Sequence, residues 1–139
     1  MPARPIRLAI AALPILLALA VAASAAAVVV TVNLQGGIGS RTLKACGAIH
    51  HYTVYKLGSR IKIDGKATPA PASYHVKLKV KQCIRGTFHT IWTGAGVAKP
   101  DGTFSGIYVA HRRGAFFARA YVDAGSVTYK SDKQQFLLR

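Results

Sequence analysis

Seven consecutive residues, His75-Val76-Lys77-Leu78-Lys79-Val80-Lys81, alternate strictly between polar and apolar side chains. A strand turns successive side chains to opposite faces, so this pattern buries Val76, Leu78 and Val80 on one side and sets the lysines on the other. Arg60-Ile61-Lys62-Ile63-Asp64 repeats the alternation, with the isoleucines on the buried side. After the first 25 residues no stretch keeps apolar residues three and four apart for three turns, and Val, Thr, Tyr, Ile, Gly and Pro dominate. Further strand candidates are 28–34, 52–57, 89–98, 103–110, 115–122 and 134–138. They are separated by turn chemistry such as Lys99-Pro100-Asp101-Gly102 and Arg112-Arg113-Gly114. Seven or eight short strands at this spacing predict an all-β chain folded as an antiparallel β-sandwich.

The amino end carries a different signal. Arg4 and Arg7 precede an apolar run from Leu8 to Ala23, and small residues follow at Ala23, Ser24 and Ala25 and again at Ala25, Ala26 and Ala27. A positive region, an apolar core and a small-residue site in that order read as a secretory signal helix, cut after Ala25 or Ala27. The competing reading is an uncleaved anchor, because Val28, Val29, Val30 and Val32 prolong the uncharged stretch and about 20 apolar residues span a bilayer. The chain then divides into a signal peptide (1–25), an extension with a Gly-rich linker (26–45) and a sandwich domain (46–139). Gly36-Gly37-Ile38-Gly39-Ser40 is the linker, having three glycines in four residues and no following helix to cradle a phosphate. Pro69-Ala70-Pro71-Ala72-Ser73 is a loop.

Export bears on the two cysteines, Cys46 and Cys83. In an oxidising compartment an even pair reads as a disulfide, here closing a loop of 37 positions; the alternative is two buried thiols. The four acids are Asp64, Asp101, Asp123 and Asp132, and there is no glutamate, which leaves no paired-glutamate catalysis and no carboxylate-rich metal site. His50 and His51 are adjacent and would point to opposite faces of a strand; with His75, His89 and His111 they are read as structural or exposed, not as metal ligands. No serine sits in a nucleophile-elbow sequence. The expectation is a protein that is not an enzyme and holds no metal and no cofactor. A small exported enzyme is the competing class, disfavoured by the missing acid and base pairs.

The charge is the feature that departs from a neutral module. Nineteen Lys and Arg against four acids give +15, and removing the first 25 residues takes away only two arginines. If the two alternating strands share a sheet, Lys62, Lys77, Lys79 and Lys81 form one raised anion-binding patch, with Lys99 and Lys130 lying elsewhere. Its partner is then an extended anionic polymer, such as a cell-wall polymer, polysaccharide or nucleic acid, bound without sequence selectivity; a cell-envelope protein is a second class of partner. The plainer role for strand lysines is solubility and protection from aggregation. A membrane is a partner only if the leader is retained, since no basic amphipathic helix follows it.

One order of features resembles a known family. Gly58-Ser59, then Arg60-Ile61-Lys62-Ile63-Asp64-Gly65-Lys66-Ala67-Thr68-Pro69, the Val-x-Leu-x-Val strand from Val76, Asp101-Gly102-Thr103-Phe104 and Gly114-Ala115-Phe116-Phe117-Ala118-Arg119-Ala120 are similar to immunoglobulin-like or fibronectin type III-like domains of exported bacterial proteins. The resemblance runs from about Tyr52 to the carboxyl end and implies an immunoglobulin-like sandwich used for adhesion, spacing or ligand binding. The cysteines depart from that family's pattern: they would tie a segment ahead of the first core strand to the end of the Val-x-Leu-x-Val strand, where antibody domains join two central strands.

Recovered from its native host, the mature protein is expected to begin at Ala26 or Val28. Intact-mass measurement decides this, and a membrane-bound species retaining Met1 or Pro2 would establish the anchor instead.

Overall fold

The computed structural model describes residues 27–70 and 74–139. The signal peptide expected at 1–25 and loop residues 71–73 lie outside them. The described residues form ten strands and no helix: β1 (Val29–Leu34), β2 (Gly39–Ala45), β3 (Ala48–Tyr55), β4 (Arg60–Thr68), β5 (His75–Ile84), β6 (Thr87–Val97), β7 (Thr103–Val109), β8 (Gly114–Ala124), β9 (Val127–Lys130) and β10 (Gln134–Leu138). They make two sheets. The smaller runs β1-β4-β7, and the larger runs β2-β3-β10-β8-β5-β6, with β9 continuing along β8 beyond the end of β10.

The alternating runs behave as their periodicity requires. Ile61 and Ile63 of β4 and Val76, Leu78 and Val80 of β5 are all buried in the layer between the sheets. Phe116, Ala118, Ala120 and Val122 of β8 complete that face of the larger sheet. At the centre the Phe116 and Phe136 rings stack 5.2 Å apart, and Tyr108 from the smaller sheet closes on Phe136 at 6.2 Å. Aromatic pairs in these geometries add to the stabilisation that burial already supplies.

Three expectations are corrected. Residues 26–45 are not an extension: β1 pairs with β4 along six residues, and Val28, Val30 and Val32 are buried in the core. The glycine run is a corner between the sheets. Gln35 N still donates to Lys62 O in the smaller sheet, whereas Ile38 N donates to Val54 O in the larger one. Only glycine suits the turn, because Gly36 and Gly37 have φ of 79° and 113°, and a Cβ on Gly37 would lie 2.6 Å from the Thr53 methyl. The Tyr55 hydroxyl pins the corner by donating to Gln35 O at 2.9 Å, and burial pushes its pKa above the usual tyrosine value. The sandwich is also not wholly antiparallel, since that crossing leaves β3 running parallel to β10.

Cys46 and Cys83 are bonded, with Cα atoms 5.8 Å apart. Cys46 lies within a two-residue hairpin turn, Cys46-Gly47 between β2 and β3, and Cys83 stands near another, Arg85-Gly86 between β5 and β6. All four turn residues have positive φ, as a type I′ turn demands. In the sheet order β3 and β5 stand three strand spacings apart, about 14 Å. To reach Cys83, the tip of the β2–β3 hairpin therefore leaves the sheet plane and arches over its outer face. Tyr52, Val54, Ala115 and Phe117 are buried despite facing away from the main core, and Phe88 meets Phe117 at 4.7 Å between ring centres. The hairpin and the disulfide thus enclose a second, smaller apolar layer.

Replacing Cys83 with Ala is expected to cost about 4 kcal/mol, the unfolded-state entropy that a 37-residue loop restores in the chain model. Denaturant unfolding measures it, and an unchanged midpoint would show that the hairpin holds its place without the bond.

Candidate functional site

Because β5 buries its even-numbered side chains, Lys77, Lys79 and Lys81 stand on the outer face of the larger sheet. Directly opposite them on β8 are Tyr121, Arg119 and Phe117. The cations settle on the rings: Lys79 Nζ lies 4.8 Å and Lys130 Nζ 5.9 Å from the centre of Tyr121, while Lys133 Nζ and Lys81 Nζ lie 4.8 Å and 5.9 Å from that of Phe117. Ring faces carry partial negative charge, so each aromatic attracts two ammonium groups in place of a carboxylate.

The segment after β9 is positioned by Ser131. Its Oγ accepts from Ala120 N at 2.9 Å, its N donates to Ala120 O at 3.0 Å, and its carbonyl accepts from Arg119 Nε at 2.7 Å. This buried serine extends the β8 ladder past β9 and fixes Lys130 and Lys133 on either side of itself. The face therefore gathers Lys77, Lys79, Lys81, Arg119, Lys130 and Lys133. Lysines two apart on a strand are about 6.7 Å from one another, inside the roughly 8 Å screening length at physiological salt, so their fields add.

None of the four acids forms an ion pair with them. Asp123, at the far end of the face, accepts from the Thr128 hydroxyl at 2.6 Å. Asp101 is held by the Thr103 hydroxyl and amide, which lower its pKa. Asp64 takes a hydrogen bond from Gln35 and lies 3.6 Å from Lys62, the single ion pair among the described residues.

Two expectations about the patch are corrected here. Lys62 belongs to β4 in the smaller sheet, so it faces outward on the opposite side of the sandwich from Lys77, Lys79 and Lys81. Lys130, expected elsewhere, shares the Tyr121 ring with Lys79. Arg119, Lys133, Tyr121 and Phe117 escaped the sequence reading, because only cross-strand register places them beside β5. Strand β9 escaped it too, although the two-residue Gly125-Ser126 connection is a hairpin signal.

Elsewhere, the described residues hold no group of three His, Cys, Asp or Glu spaced for a metal ion. His51 Nδ1 lies 3.1 Å from the Thr42 hydroxyl on the hairpin, and His50 packs edge-on against Tyr52. Trp92 is half-buried against Tyr108, 5.8 Å between ring centres, where β6 and β7 leave the side of the sandwich open. Comparison with protein-family models and with curated proteins finds no match for this chain.

The Ser131→Ala variant is expected to lose 1–3 kcal/mol of stability, roughly the cost of a buried amide left without its acceptor. Chemical denaturation tests this; a loss under about 0.5 kcal/mol would mean that water replaces the hydroxyl.

Proposed function

We propose that this is a non-catalytic, exported immunoglobulin-like module that binds extended anionic polymers on the outer face of its larger sheet. The observation that carries the reading is the gathering of six cations from β5, β8 and the segment around Ser131 on one face, four of them seated on two aromatic rings, with no carboxylate within ion-pair distance among the described residues. Lysine outnumbers arginine there five to one, which suits point-charge attraction to phosphate, sulfate or carboxylate groups more than bidentate readout. A sheet face bearing cations along several strands accommodates an extended chain, and no recognition helix is present among the described residues to read a sequence. Cell-wall polymers, acidic polysaccharides and nucleic acids share the required chemistry.

The immunoglobulin-like part rests on strand order. Strands β6-β5-β8-β10 follow the C′-C-F-G order of such domains and face β7-β4-β1 in the places of E-B-A. The disulfide is weakly consistent with an extracytoplasmic location.

Changing Lys77, Lys79 and Lys81 together to Gln is expected to weaken retention on a single-stranded polyanion and to reduce the slope of log affinity against log salt by about 2. The control changes Lys62, Lys66 and Lys99, which lie off this face, and should alter the slope less. Equal losses from the two triple variants would assign binding to diffuse charge and remove the localised site.

A further inference from the structure

Strands β6 and β7 end their respective sheets, and among the described residues nothing pairs with the free edge of either. Proteins usually protect such edges with lysine, proline or a bulge. Here neither strand contains Lys, Arg, Asp, Glu or Pro, in a chain with 19 basic residues. A bulge opposite Val80 and Lys81 disrupts the first half of β6, but from Thr93 to Val97 the strand is regular and open.

Behind that open half three glycines replace larger residues; the Trp92 ring covers the position of Gly94, and the space beside Gly96 stays open. Gly94 and Gly96 of β6 lie opposite Leu78 and Val76, on positions that face the core, and Gly106 of β7 stands across from them. They leave a slot of about 240 Å³, walled by Val76, Leu78 and Phe104 and closed at one end by Trp92. A Cβ added at Gly96 would meet nothing within 4 Å. The surroundings are basic: Lys99 lines the slot, and Lys77 lines the cleft on the outer side of Gly96 and Val97. Neither forms an ion pair among the described residues, although Asp123, which accepts from Thr128, lines the same cleft as Lys77, and Lys99 adds to the Thr103 hydrogen bonds that lower the Asp101 pKa.

We propose that the β6 edge from Thr93 to Val97 docks an extended segment of a partner protein, carrying bulky apolar residues at alternate positions and acidic residues at its ends. The added strand takes the free backbone groups of β6, one apolar side chain enters the space beside Gly96, the next packs against the Trp92 ring that covers Gly94, and the flanking acids meet Lys99 and Lys77. A second copy of this chain fits less well. Edge-to-edge pairing of β6 would set two β5 lysine ladders about 14 Å apart in a pair of molecules each carrying +15. This site differs from the polymer-binding face in using the sheet edge and the interlayer slot, and shares only Lys77 with it.

Trp92 is the sole tryptophan and reports on the slot. The probe is a nine-residue peptide with two leucines alternating with threonines between terminal glutamates, titrated into the full-length mature protein. Saturable change in Trp92 emission is expected, with binding at least tenfold weaker when the terminal residues are lysines and at least tenfold weaker in the Gly96→Leu variant. Hydrogen exchange on the unmodified protein provides a readout that needs no variant: the amides of Thr93 to Val97 should slow on binding. The proposal is overturned by an unchanged emission, by protection confined to other strands, or by equal affinity of the lysine-ended peptide. Full binding by Gly96→Leu would also overturn it. So would self-association of the unmodified protein in sedimentation that Gly96→Leu abolishes, since the occupant would then be a second copy.

Discussion

The apolar layer between the sheets governs everything outside it. Each of Val76, Leu78, Val80, Ile61 and Ile63 contributes on the order of 1.5–3 kcal/mol by leaving water, whereas a cross-strand pair on the surface is worth roughly 0.2–1 kcal/mol. Burial therefore decides which way β5 and β8 face, and mutual repulsion of the outward lysines cannot reverse it. A slip of one residue would put Lys77, Lys79 and Arg119 inside and the valines outside. The basic face is thus the geometric complement of the core, made tolerable by Tyr121 and Phe117, on which the ammonium groups rest.

The disulfide acts on the opposite end of the same face. By drawing the β2–β3 hairpin across two intervening strands it covers Ala115 and Phe117 and divides the outer surface in two. One end is roofed and apolar beneath. The other, around Tyr121, Lys77 and Lys79, stays open to solvent and to ligands. Within the roofed region the Tyr52 hydroxyl and Gln135 Oε1 are buried without a protein partner, and burial raises the Tyr52 pKa. Polar groups in that situation are commonly satisfied by an enclosed water.

Face and edge offer different chemistry within one sandwich. The face presents charge on a surface of many strands, and under the proposed reading it would meet long polyanions with an affinity that follows salt. The edge presents unpaired backbone and an apolar slot, so the proposed recognition there would depend on strand addition and side-chain fit, with charge confined to the flanks. Charge-free β6 lies beside lysine-rich β5, so the two surfaces adjoin in the sheet and meet at Lys77.

Period-two alternation is a local property, so the inward set Ile61, Ile63, Val76, Leu78 and Val80 and the all-β class were legible in the sequence alone. The cysteine pairing was legible as well, because two residues allow one bond. The membership of the basic face was not. Whether Lys62 joins Lys77 depends on which sheet β4 enters, and Lys130, Lys133 and Arg119 reach the site only through the registers of β8 with β5 and β9 and through Ser131. The residues before Cys46 read as a linker because glycines at 36, 37 and 39 carry no strand propensity, yet positive φ at that corner is what lets β1 enter one sheet and β2 and β3 the other. Alternation along a strand is dictated by the neighbouring residue, whereas sheet membership and cross-strand register are dictated by residues far away in the chain, and only the folded structure brings those together.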